Sequence, residues 1–303
     1  MHGRKKSTEP RSEAEIKTLD RKTELYSKTL YIVLERKKCG DFTEEALELT
    51  AKMLKSNPDF YSVWNYRKEI LVAMIPDLAI SVDTDHNRIV NDEVRVRELK
   101  LSEDCIRKNP KSCKHNNQHI FKFKCPPRVA IASSHLFSFY FILNVLDGAW
   151  HHRQWILERI QVDFYSELEL CKLFLMEDQR NFHCWCYRRL VVNIGDIKPT
   201  DEFAFSGEKI DENFSNYSAF HHRSVYIQKL GKNASDMVEA EFSIIENAIY
   251  TEPDDQSAWW YHQFLLTWIS QQQQQQQQGV QQSNNSDDVT SSSSSSGTYD
   301  ELK

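Results

Sequence analysis

Polar and apolar residues alternate along this chain with the period of α-helices. After the helix-start signal Thr43-Glu44-Glu45, apolar residues fall on one helical face: Leu47, Leu49, Met53 and Leu54. The segment ends at Asn57-Pro58, and a second apolar helical pattern follows at once. Similar segments recur over residues 93–108, 168–176, 203–210 and 238–250. Because Pro is disfavoured inside a helix and accepted in its first turn, we predict pairs of helices separated by Pro, Asp or Asn breaks.

The second helix of each pair carries an aromatic residue, followed three positions later by a basic one. The pairs are Trp64 and Arg67, Trp150 and Arg153, Trp185 and Arg188, Phe220 and Arg223, and Trp259 and His262. Trp150, Trp185 and Phe220 are 35 residues apart, and Trp259 follows Phe220 by 39. A period of this size indicates stacked helical hairpins. We therefore predict an all-α solenoid.

These repeated residues have a structural interpretation. Positions i and i+3 share one face of a helix, and a buried Trp removes on the order of 200 Å² from water. We expect the aromatic residues to be packing residues between hairpins. We expect the basic residues to reach carbonyls or carboxylates of the neighbouring hairpin.

The composition excludes several classes of protein. Of the 303 residues, 40% are hydrophobic and 27% charged, and the formal net charge is -6, so no nucleic-acid partner is expected. No apolar run reaches the length of about 18 residues that spans a bilayer, and no secretory signal is visible. The seven Cys residues include no CxxC pair. We expect reduced thiols in a cytoplasmic protein, and no metal bound by this chain.

The sequence divides into three parts. Residues 1–20 are polar and expected to be frayed, and residues 21–268 form the helical-repeat domain. From 269 to 303 the chain is rich in Gln and Ser, with eight consecutive Gln and six consecutive Ser. Such a segment has little apolar surface to bury, so we predict a disordered tail.

Residues 113–147 do not fit the repeat pattern. Pro58 and Pro253 each precede their Trp by six residues, whereas Pro110 precedes Trp150 by 40. Replacing residues 113–147 by one residue restores the spacing of six. Three positions before the key aromatic the other repeats have Tyr61, Phe182, Tyr217 and Gln256, so an aromatic is expected where Asp147 stands.

The genetic code suggests an origin for this segment. Cys113-Lys114 can be encoded TGT-AAG, which contains a splice-donor string, and Leu146-Asp147 can be encoded TTA-GAT, which contains an acceptor. Joining the flanking bases gives TAT, a Tyr codon. The apolar stretch 136–143 uses largely pyrimidine-rich codons, as the 3′ end of an intron would. We therefore interpret residues 113–147 as a translated intron, with a genuine insertion loop as the alternative.

Several motifs resemble those of a known family. Asn57-Pro58 with Trp64 and Arg67, residues 109–112 continued by 148–153, and residues 178–189 resemble the repeats of protein prenyltransferase α subunits. Residues 213–218, 254–259 and the first four residues are more similar to the α subunit of Rab geranylgeranyltransferase (type II). The resemblance covers residues 1–112 and 148–268. It implies a right-handed superhelix of α-α hairpins, like that of TPR proteins, around a separate β subunit.

The resemblance also implies a function. The β subunit would hold the catalytic zinc and the isoprenoid pocket, and the enzyme would transfer geranylgeranyl from geranylgeranyl diphosphate to C-terminal cysteines of Rab GTPases. A Rab escort protein would present the substrate. Lys111 matches a family Lys that reaches the diphosphate, although Cys113 stands where a Tyr is usual. His2 matches an N-terminal His that can approach the zinc of the β subunit in a self-inhibiting position.

Two alternatives remain open at this point. The chain resembles, less closely, the α subunit shared by farnesyltransferase and type I geranylgeranyltransferase, which act on free CaaX peptides. It could also be a non-enzymatic helical-repeat scaffold without a β partner. Substrate choice separates the first alternative from the type II enzyme, and failure to co-purify with a β subunit would favour the second.

Overall fold

The computed structural model describes residues 12–79, 91–110, 148–230 and 237–291, with side chains as far as 275. These residues form eleven α-helices and one short 3-10 helix, without any strand. The prediction of an all-α chain is confirmed across this part of the sequence. The chain divides into two compact units, residues 1–196 and 197–303. No helix in the described ranges is both long and apolar enough to cross a membrane.

The first unit contains seven α-helices. They are α1 (Glu13–Lys38), α2 (Glu44–Ser56), α3 (Tyr61–Met74), α4 (Asp92–Lys108), α5 (Gly148–Leu157), α6 (Phe164–Glu177) and α7 (Phe182–Ile194), with the 3-10 helix Pro76–Ala79 after α3. Helix α1 packs on α2. The remaining helices form hairpin 1 (α2 and α3), hairpin 2 (α4 and α5) and hairpin 3 (α6 and α7).

The second unit contains two hairpins. Hairpin 4 consists of α8 (Pro199–Glu212) and α9 (Tyr217–Lys229), and hairpin 5 of α10 (Val238–Thr251) and α11 (Gln256–Ser291). Side chains of the preceding residue cap at least half of the ten helices that form the hairpins. Thr43, Asn91, Asp163, Asn181 and Asn216 each accept a backbone N–H of the first turn.

Helix α1 begins earlier than the sequence pattern indicated. Residues 1–20 were expected to be frayed, but Ser12 and Glu15 form a reciprocal capping box and the helix starts at Glu13. This signal satisfies two backbone donors at once and nucleates a polar helix without an apolar stripe. The helix ends before Gly40, whose positive φ of 66° suits glycine.

The last helix extends past residue 268, where the helical-repeat domain was predicted to end. Helix α11 continues through the Gln run as far as Ser291. Gln is a good helix former, so it can extend a helix that the packing of its first three turns has already nucleated. Residues 292–303 lie outside the described part of the chain.

Candidate functional site

The key aromatic residues of the first four hairpins are buried. The exposed fraction is 1% for Trp64, Trp150 and Trp185, and 0% for Phe220. Trp259 differs, because 48% of it is exposed. Hairpin 5 is the last helix pair in the described residues, and none of them covers its outer side.

The basic residue three positions after the key aromatic joins neighbouring hairpins. The Arg67 guanidinium of hairpin 1 donates to both carboxylate oxygens of Glu98 in hairpin 2, at 2.7 Å each. It also donates to the Leu47 carbonyl at 2.6 Å and the Thr50 hydroxyl at 2.8 Å, both in the first helix of its own hairpin. One side chain therefore links three helices, through charged bidentate bonds that are geometrically specific.

The same arrangement recurs between hairpins 2 and 3 and between hairpins 4 and 5. Arg153 donates to both oxygens of Glu167 at 2.7 Å, and Arg223 donates to those of Glu241 at 2.7 and 2.6 Å. Each guanidinium also reaches the first helix of its own hairpin. The acceptors there are the Leu99 carbonyl and Ser102 hydroxyl for Arg153, and the Phe203 carbonyl and Ser206 hydroxyl for Arg223.

Each of these glutamates also meets a ring from the second helix of its own hairpin. The contacts are His152 Nε2 to Glu98 at 3.0 Å, the Tyr187 hydroxyl to Glu167 at 2.8 Å, and the Tyr261 hydroxyl to Glu241 at 2.7 Å. The ring always stands two positions after the key aromatic. We call the Arg, the Glu and this ring the hairpin clamp. It leaves none of the carboxylates uncompensated, as a buried charge requires.

Burial sets the protonation of the first clamp. Burial opposes the charge of Glu98, but the hydrogen bond from His152 and the Arg67 guanidinium prevail and lower its pKa well below the usual range. Burial lowers the pKa of His152 from 6.5 to about 4. The imidazole is therefore neutral at pH 7 and donates one N–H to an ionised carboxylate.

The clamp glutamates were not identified from the sequence, although their signal is present there. A Glu stands eighteen residues before the key aromatic in three hairpins. The pairs are Glu167 with Trp185, Glu202 with Phe220, and Glu241 with Trp259. Hairpin 1 has Ala46 at that position, and no earlier hairpin offers it an Arg. Counting residues 113–147 as one residue places Glu98 eighteen positions before Trp150 as well.

The indole N–H groups follow a second rule. Trp64 donates to the Pro58 carbonyl at 2.8 Å, Trp185 to the Gln179 carbonyl at 2.9 Å, and Trp259 to the Pro253 carbonyl at 3.1 Å. In each case the acceptor lies six residues earlier, in the turn between the two helices. Trp150 Nε1 is buried and has no hydrogen-bond partner among the residues that the structure describes. A buried donor left in this state costs about 1–3 kcal/mol.

The turns of neighbouring hairpins are hydrogen-bonded to one another. Asn109 Nδ2 donates to the Asp59 carboxylate at 2.9 and 3.1 Å, and Asn181 Nδ2 donates to the Pro110 carbonyl at 3.3 Å. The row of turns is called the turn edge below and consists of residues 57–60, 109–110 and 178–181. The described residues of this part of the turn edge end at Pro110.

Exposed aromatic rings and half-buried basic groups lie near the turn edge. Tyr61 and Phe182 are the first residues of α3 and α7 and are 53% and 43% exposed. The Tyr61 ring lies 6.2 Å from that of His151, and Lys68 Nζ lies 2.9 Å from His151 Nδ1. Burial and the charge of Arg159 lower the pKa of Lys68 to about 8. This surface combines cations and rings, which suits an anionic or apolar partner.

Two of the predicted functional residues fall outside the described part of the chain. Lys111 lies immediately after it, and His2 lies in the N-terminal eleven residues. The predicted packing residues Arg67, Arg153, Arg188 and Arg223 are placed between helices, with Arg188 donating to the Leu168 carbonyl at 3.1 Å. Within the described residues, no group of three or more His, Cys, Asp or Glu side chains is arranged to hold a metal ion.

Known proteins share both the sequence and the fold of this chain. The model of the protein prenyltransferase alpha subunit repeat matches residues 43–74, 164–194, 199–230 and 238–269. Geranylgeranyl transferase type-2 subunit alpha of Dictyostelium discoideum is 34% identical over 271 residues, which cover 86% of this chain and 72% of that protein. The chain belongs to the protein prenyltransferase α-subunit family. The matched residues include hairpins 1, 3, 4 and 5, but not the interrupted hairpin 2.

Longer relatives carry the same name as the Dictyostelium protein. Geranylgeranyl transferase type-2 subunit alpha of Rattus norvegicus is 34% identical, and that of Homo sapiens 35%, each over 86% of this chain. The prenyltransferase α-subunit chain described here spans about 40% of the length of those two proteins.

A solved structure supports the fold independently. A chain of the Candida albicans protein geranylgeranyltransferase-I complexed with GGPP has a TM-score of 0.56 and 22% identity, over 80% of this chain and 66% of that chain. At this identity the likeness concerns the fold alone. It agrees with the helical hairpins seen in both units.

Proposed function

We propose that this chain is the α subunit of a heterodimeric Rab geranylgeranyltransferase. The enzyme transfers geranylgeranyl from geranylgeranyl diphosphate to C-terminal cysteines of Rab GTPases, which an escort protein presents in the cytoplasm. One observation carries the proposal: a protein named geranylgeranyl transferase type-2 subunit alpha matches 86% of this chain, and the match covers 72% of that protein. The β subunit supplies the isoprenoid pocket and the zinc that activates the thiolate.

The proposed chemistry assigns one step to this chain. The thiolate sulfur forms a bond to C1 of the isoprenoid, and the bond from C1 to the diphosphate oxygen breaks, so the electron pair leaves with the diphosphate. Cations placed where this negative charge develops stabilise the transition state. Lys111 follows Pro110 in the sequence, and the Pro110 carbonyl is hydrogen-bonded at the turn edge. We therefore assign the ammonium group of Lys111 to the departing diphosphate.

Co-expression with a type II β subunit tests the function. Geranylgeranyl transfer to a Rab–escort complex is measured beside transfer to a free CaaX peptide. We expect transfer to the Rab complex only. Transfer to the free peptide would favour the α subunit of the farnesyl and type I enzymes. Failure to co-purify with any prenyltransferase β subunit would favour a non-enzymatic scaffold.

A lysine substitution tests the role of Lys111. We expect Lys111→Ala to lower kcat about 10- to 100-fold with little change in KM for the Rab complex, because the interaction exists mainly in the transition state. Lys111→Arg should recover part of the loss. Lys100→Ala is the matched control, since Lys100 is an exposed lysine of α4 in the same hairpin. Equal rates for Lys111→Ala and the control would remove Lys111 from the mechanism.

We further propose that residues 113–147 are absent from the working protein and that a single Tyr stands in their place. Three features of the intact hairpins return when this segment is replaced by a single Tyr. They are the six residues from the turn Pro to Trp150, the eighteen from Glu98 to Trp150, and the aromatic position three before Trp150. In that register the Pro110 carbonyl takes the place of the acceptor that Trp150 Nε1 lacks.

Sequencing of the messenger RNA across the codons for Ser112 and Trp150 tests this proposal directly. We expect a form in which one Tyr codon joins Ser112 to Gly148. A universal message that retains the whole segment, with no shorter form, would contradict the proposal. The segment would then be an insertion loop that the hairpin tolerates.

A further inference from the structure

A groove runs between α1 and α2 and reaches the C-terminal end of α4. Its volume is about 790 Å³, and it lies within the first unit. Among the described residues that line it, none is Asp or Glu. We call it the lysine groove. Apart from Thr and Ser side chains, its lining consists of Lys22, Leu25 and Tyr26 of α1, Leu49, Lys52 and Met53 of α2, and Lys108 of α4.

The floor of the lysine groove is apolar. Met53 is 1% exposed and Leu49 is half-buried, whereas Leu25 is 67% exposed. A polar group stands beside them, because the Tyr26 hydroxyl accepts a hydrogen bond from Asn57 Nδ2 at 3.0 Å and can still donate one to a ligand. A concave site with an apolar floor and a few polar groups has the usual form of a binding site.

The lysines of the groove have no carboxylate partner among the described residues. Lys22 and Lys52 form no ion pair there, and Lys108 Nζ donates to main-chain carbonyls at the end of α2, including that of Ser56 at 3.1 Å. The groove thus gathers unpaired ammonium groups from three helices. Each of these helices also has a lysine outside the groove that is paired: Lys28 with Glu24 at 2.7 Å, Lys55 with Asp104 at 3.7 Å, and Lys100 with Asp104 at 3.2 Å.

The charge and the apolar floor together select the chemistry of an occupant. Like charges around a concave site raise its positive potential, which attracts an anion and steers its approach. The apolar floor favours an occupant that has apolar side chains as well. A peptide in which Asp or Glu residues alternate with Leu or Phe has both properties. An anionic membrane surface would supply the charge, but its headgroups could not fill a groove between helices.

The segments next to α1 and α4 that lie outside the described residues have the wrong charge for this groove. Residues 1–11, before α1, contain four basic residues and one acidic residue. Residues 111–147, which follow α4 and its turn, contain five basic residues and one acidic residue. The lysines would repel both segments. Neither segment is therefore the expected occupant.

We propose that the lysine groove binds an acidic peptide segment of a partner protein. Carboxylates of the peptide pair with Lys22 and Lys52, and an apolar side chain between them packs on Leu49 and Met53. None of the turn-edge residues lines this groove. The interaction is thus independent of the catalytic role proposed for Lys111.

Fluorescence anisotropy with the full chain and a labelled peptide tests the proposal. The probe is a peptide of about ten residues in which Glu alternates with Leu, and the control peptide has Gln in place of each Glu. We expect the acidic probe to bind with a Kd of about 10–100 µM at low salt. Binding should weaken about tenfold between about 50 and about 200 mM salt, because salt screens the ion pairs. The Gln peptide should bind at least about tenfold more weakly than the probe.

Matched variants locate the binding site. The double variant Lys22→Ala/Lys52→Ala should weaken binding of the acidic probe about tenfold. Lys28→Ala/Lys55→Ala is the control, since it removes the same charge from the same two helices outside the groove. It should change the Kd less than about twofold. Leu25→Asp should weaken binding as well, whereas Leu34→Asp, at another exposed leucine of α1, should not.

Several outcomes would overturn the proposal. Equal weakening by the two double lysine variants would mean that net charge alone attracts the probe. Binding to phosphatidylserine vesicles but not to the acidic peptide would make the groove a membrane contact. Residues 292–303 include Asp300 and Glu301. If their deletion tightens probe binding about tenfold, this segment of the chain is the occupant and a partner protein is not.

Discussion

Hairpins 2 and 3 lie side by side in the first unit, yet the indole N–H groups of their key Trp residues differ. Trp185 of hairpin 3 is buried and its indole N–H meets the Gln179 carbonyl. Trp150 of hairpin 2 is equally buried, but its indole N–H has no hydrogen-bond acceptor within the described ranges. Three positions further along the same helix, Arg153 holds Glu167 as well as Arg223 holds Glu241. The interruption therefore changes the turn side of hairpin 2 and leaves its stacking side intact.

The difference shows that stacking and turn formation are separable in this fold. The clamp is made by side chains from helix interiors, which depend on the helix axes and not on the length of the connection. Gly148 illustrates this, because a Cβ atom there would lie 2.7 Å from Cδ1 of Trp64. The second helix of hairpin 2 thus begins in close contact with hairpin 1, although the connection before it is 39 residues long, from 109 to 147. Long connections cost little free energy per added residue, so the helices can still pack.

The largest effect should come from replacing residues 113–147 by one Tyr. We expect geranylgeranyl transfer, measured with the β subunit, to rise at least about tenfold, because Lys111 returns to a turn of the intact kind. The free energy of unfolding in urea should rise by about 1–3 kcal/mol as Trp150 Nε1 gains an acceptor. Replacement by one Gly serves as the control for shortening alone. Equal activity and stability of the original and the Tyr chain would show that the segment is a tolerated loop.

Much of this comparison could be predicted from the sequence, because the repeated side chains belong to uncommon residue types. Trp and Arg are rare enough that their spacing stands out, and they predicted the hairpins and the interruption. The clamp residues Glu98, Glu167 and Glu241 are three among 44 acidic residues. Their role becomes visible only when each is placed opposite the Arg of the preceding hairpin.

Other features depended on local signals that were weak or absent. The start of α1 rests on the single capping box of Ser12 and Glu15, without an apolar pattern to announce it. Helix α11 runs past residue 268 into the Gln segment because helix propensity extends an established helix. The exposure of Trp259 could not be read from its motif, since burial depends on a covering hairpin and not on the residue itself.

The next largest effect should follow from breaking the clamp between hairpins 2 and 3. Glu167→Ala leaves the buried Arg153 without its carboxylate, which should cost about 3–5 kcal/mol in the free energy of unfolding. Glu241→Ala breaks the clamp between the uninterrupted hairpins 4 and 5 and should cost a similar amount. Glu169→Ala, at an exposed position of α6, is the control. A markedly smaller cost at Glu167 than at Glu241 would show that the interruption loosens the stacking side too.

A third prediction uses pH, because hairpin 2 has His152 where hairpin 3 has Tyr187. The folded pKa of His152 is about 4, below its ordinary 6.5. Between these values the unfolded chain binds more protons, so stability is lost as the pH falls. From pH 6.5 to pH 5 the loss should be about 2 kcal/mol. The lowered pKa of Glu98 adds a loss only below its ordinary value of 4.5.

His152→Tyr isolates this contribution. The Tyr hydroxyl can donate to Glu98 as Tyr187 does to Glu167, but it does not take up a proton in this range. Urea unfolding at pH 7.5 and pH 5 should show the variant losing about 2 kcal/mol less than the original chain. An unchanged pH dependence would mean that His152 is protonated or released in the folded state, and that hairpin 2 is looser than hairpin 3 at the clamp.

The smallest expected effect concerns the indole N–H of Trp150 in hairpin 2. Trp185→Phe removes a ring N–H that is hydrogen-bonded to Gln179, whereas Trp150→Phe removes one that is not. Both substitutions lose a similar apolar volume, so their difference reports the hydrogen bond. In the chain as written, Trp185→Phe should cost about 1 kcal/mol more than Trp150→Phe in urea unfolding.

In the chain with one Tyr in place of residues 113–147 the two costs should become equal, since Trp150 then has its own acceptor. Measuring the Trp150→Phe cost in both chains makes a double-mutant cycle, in which hairpin 2 of the original chain is compared with hairpin 2 of the shortened chain. A difference that persists in the shortened chain would show that the Pro110 carbonyl is not the missing acceptor, even if shortening stabilises the protein for another reason.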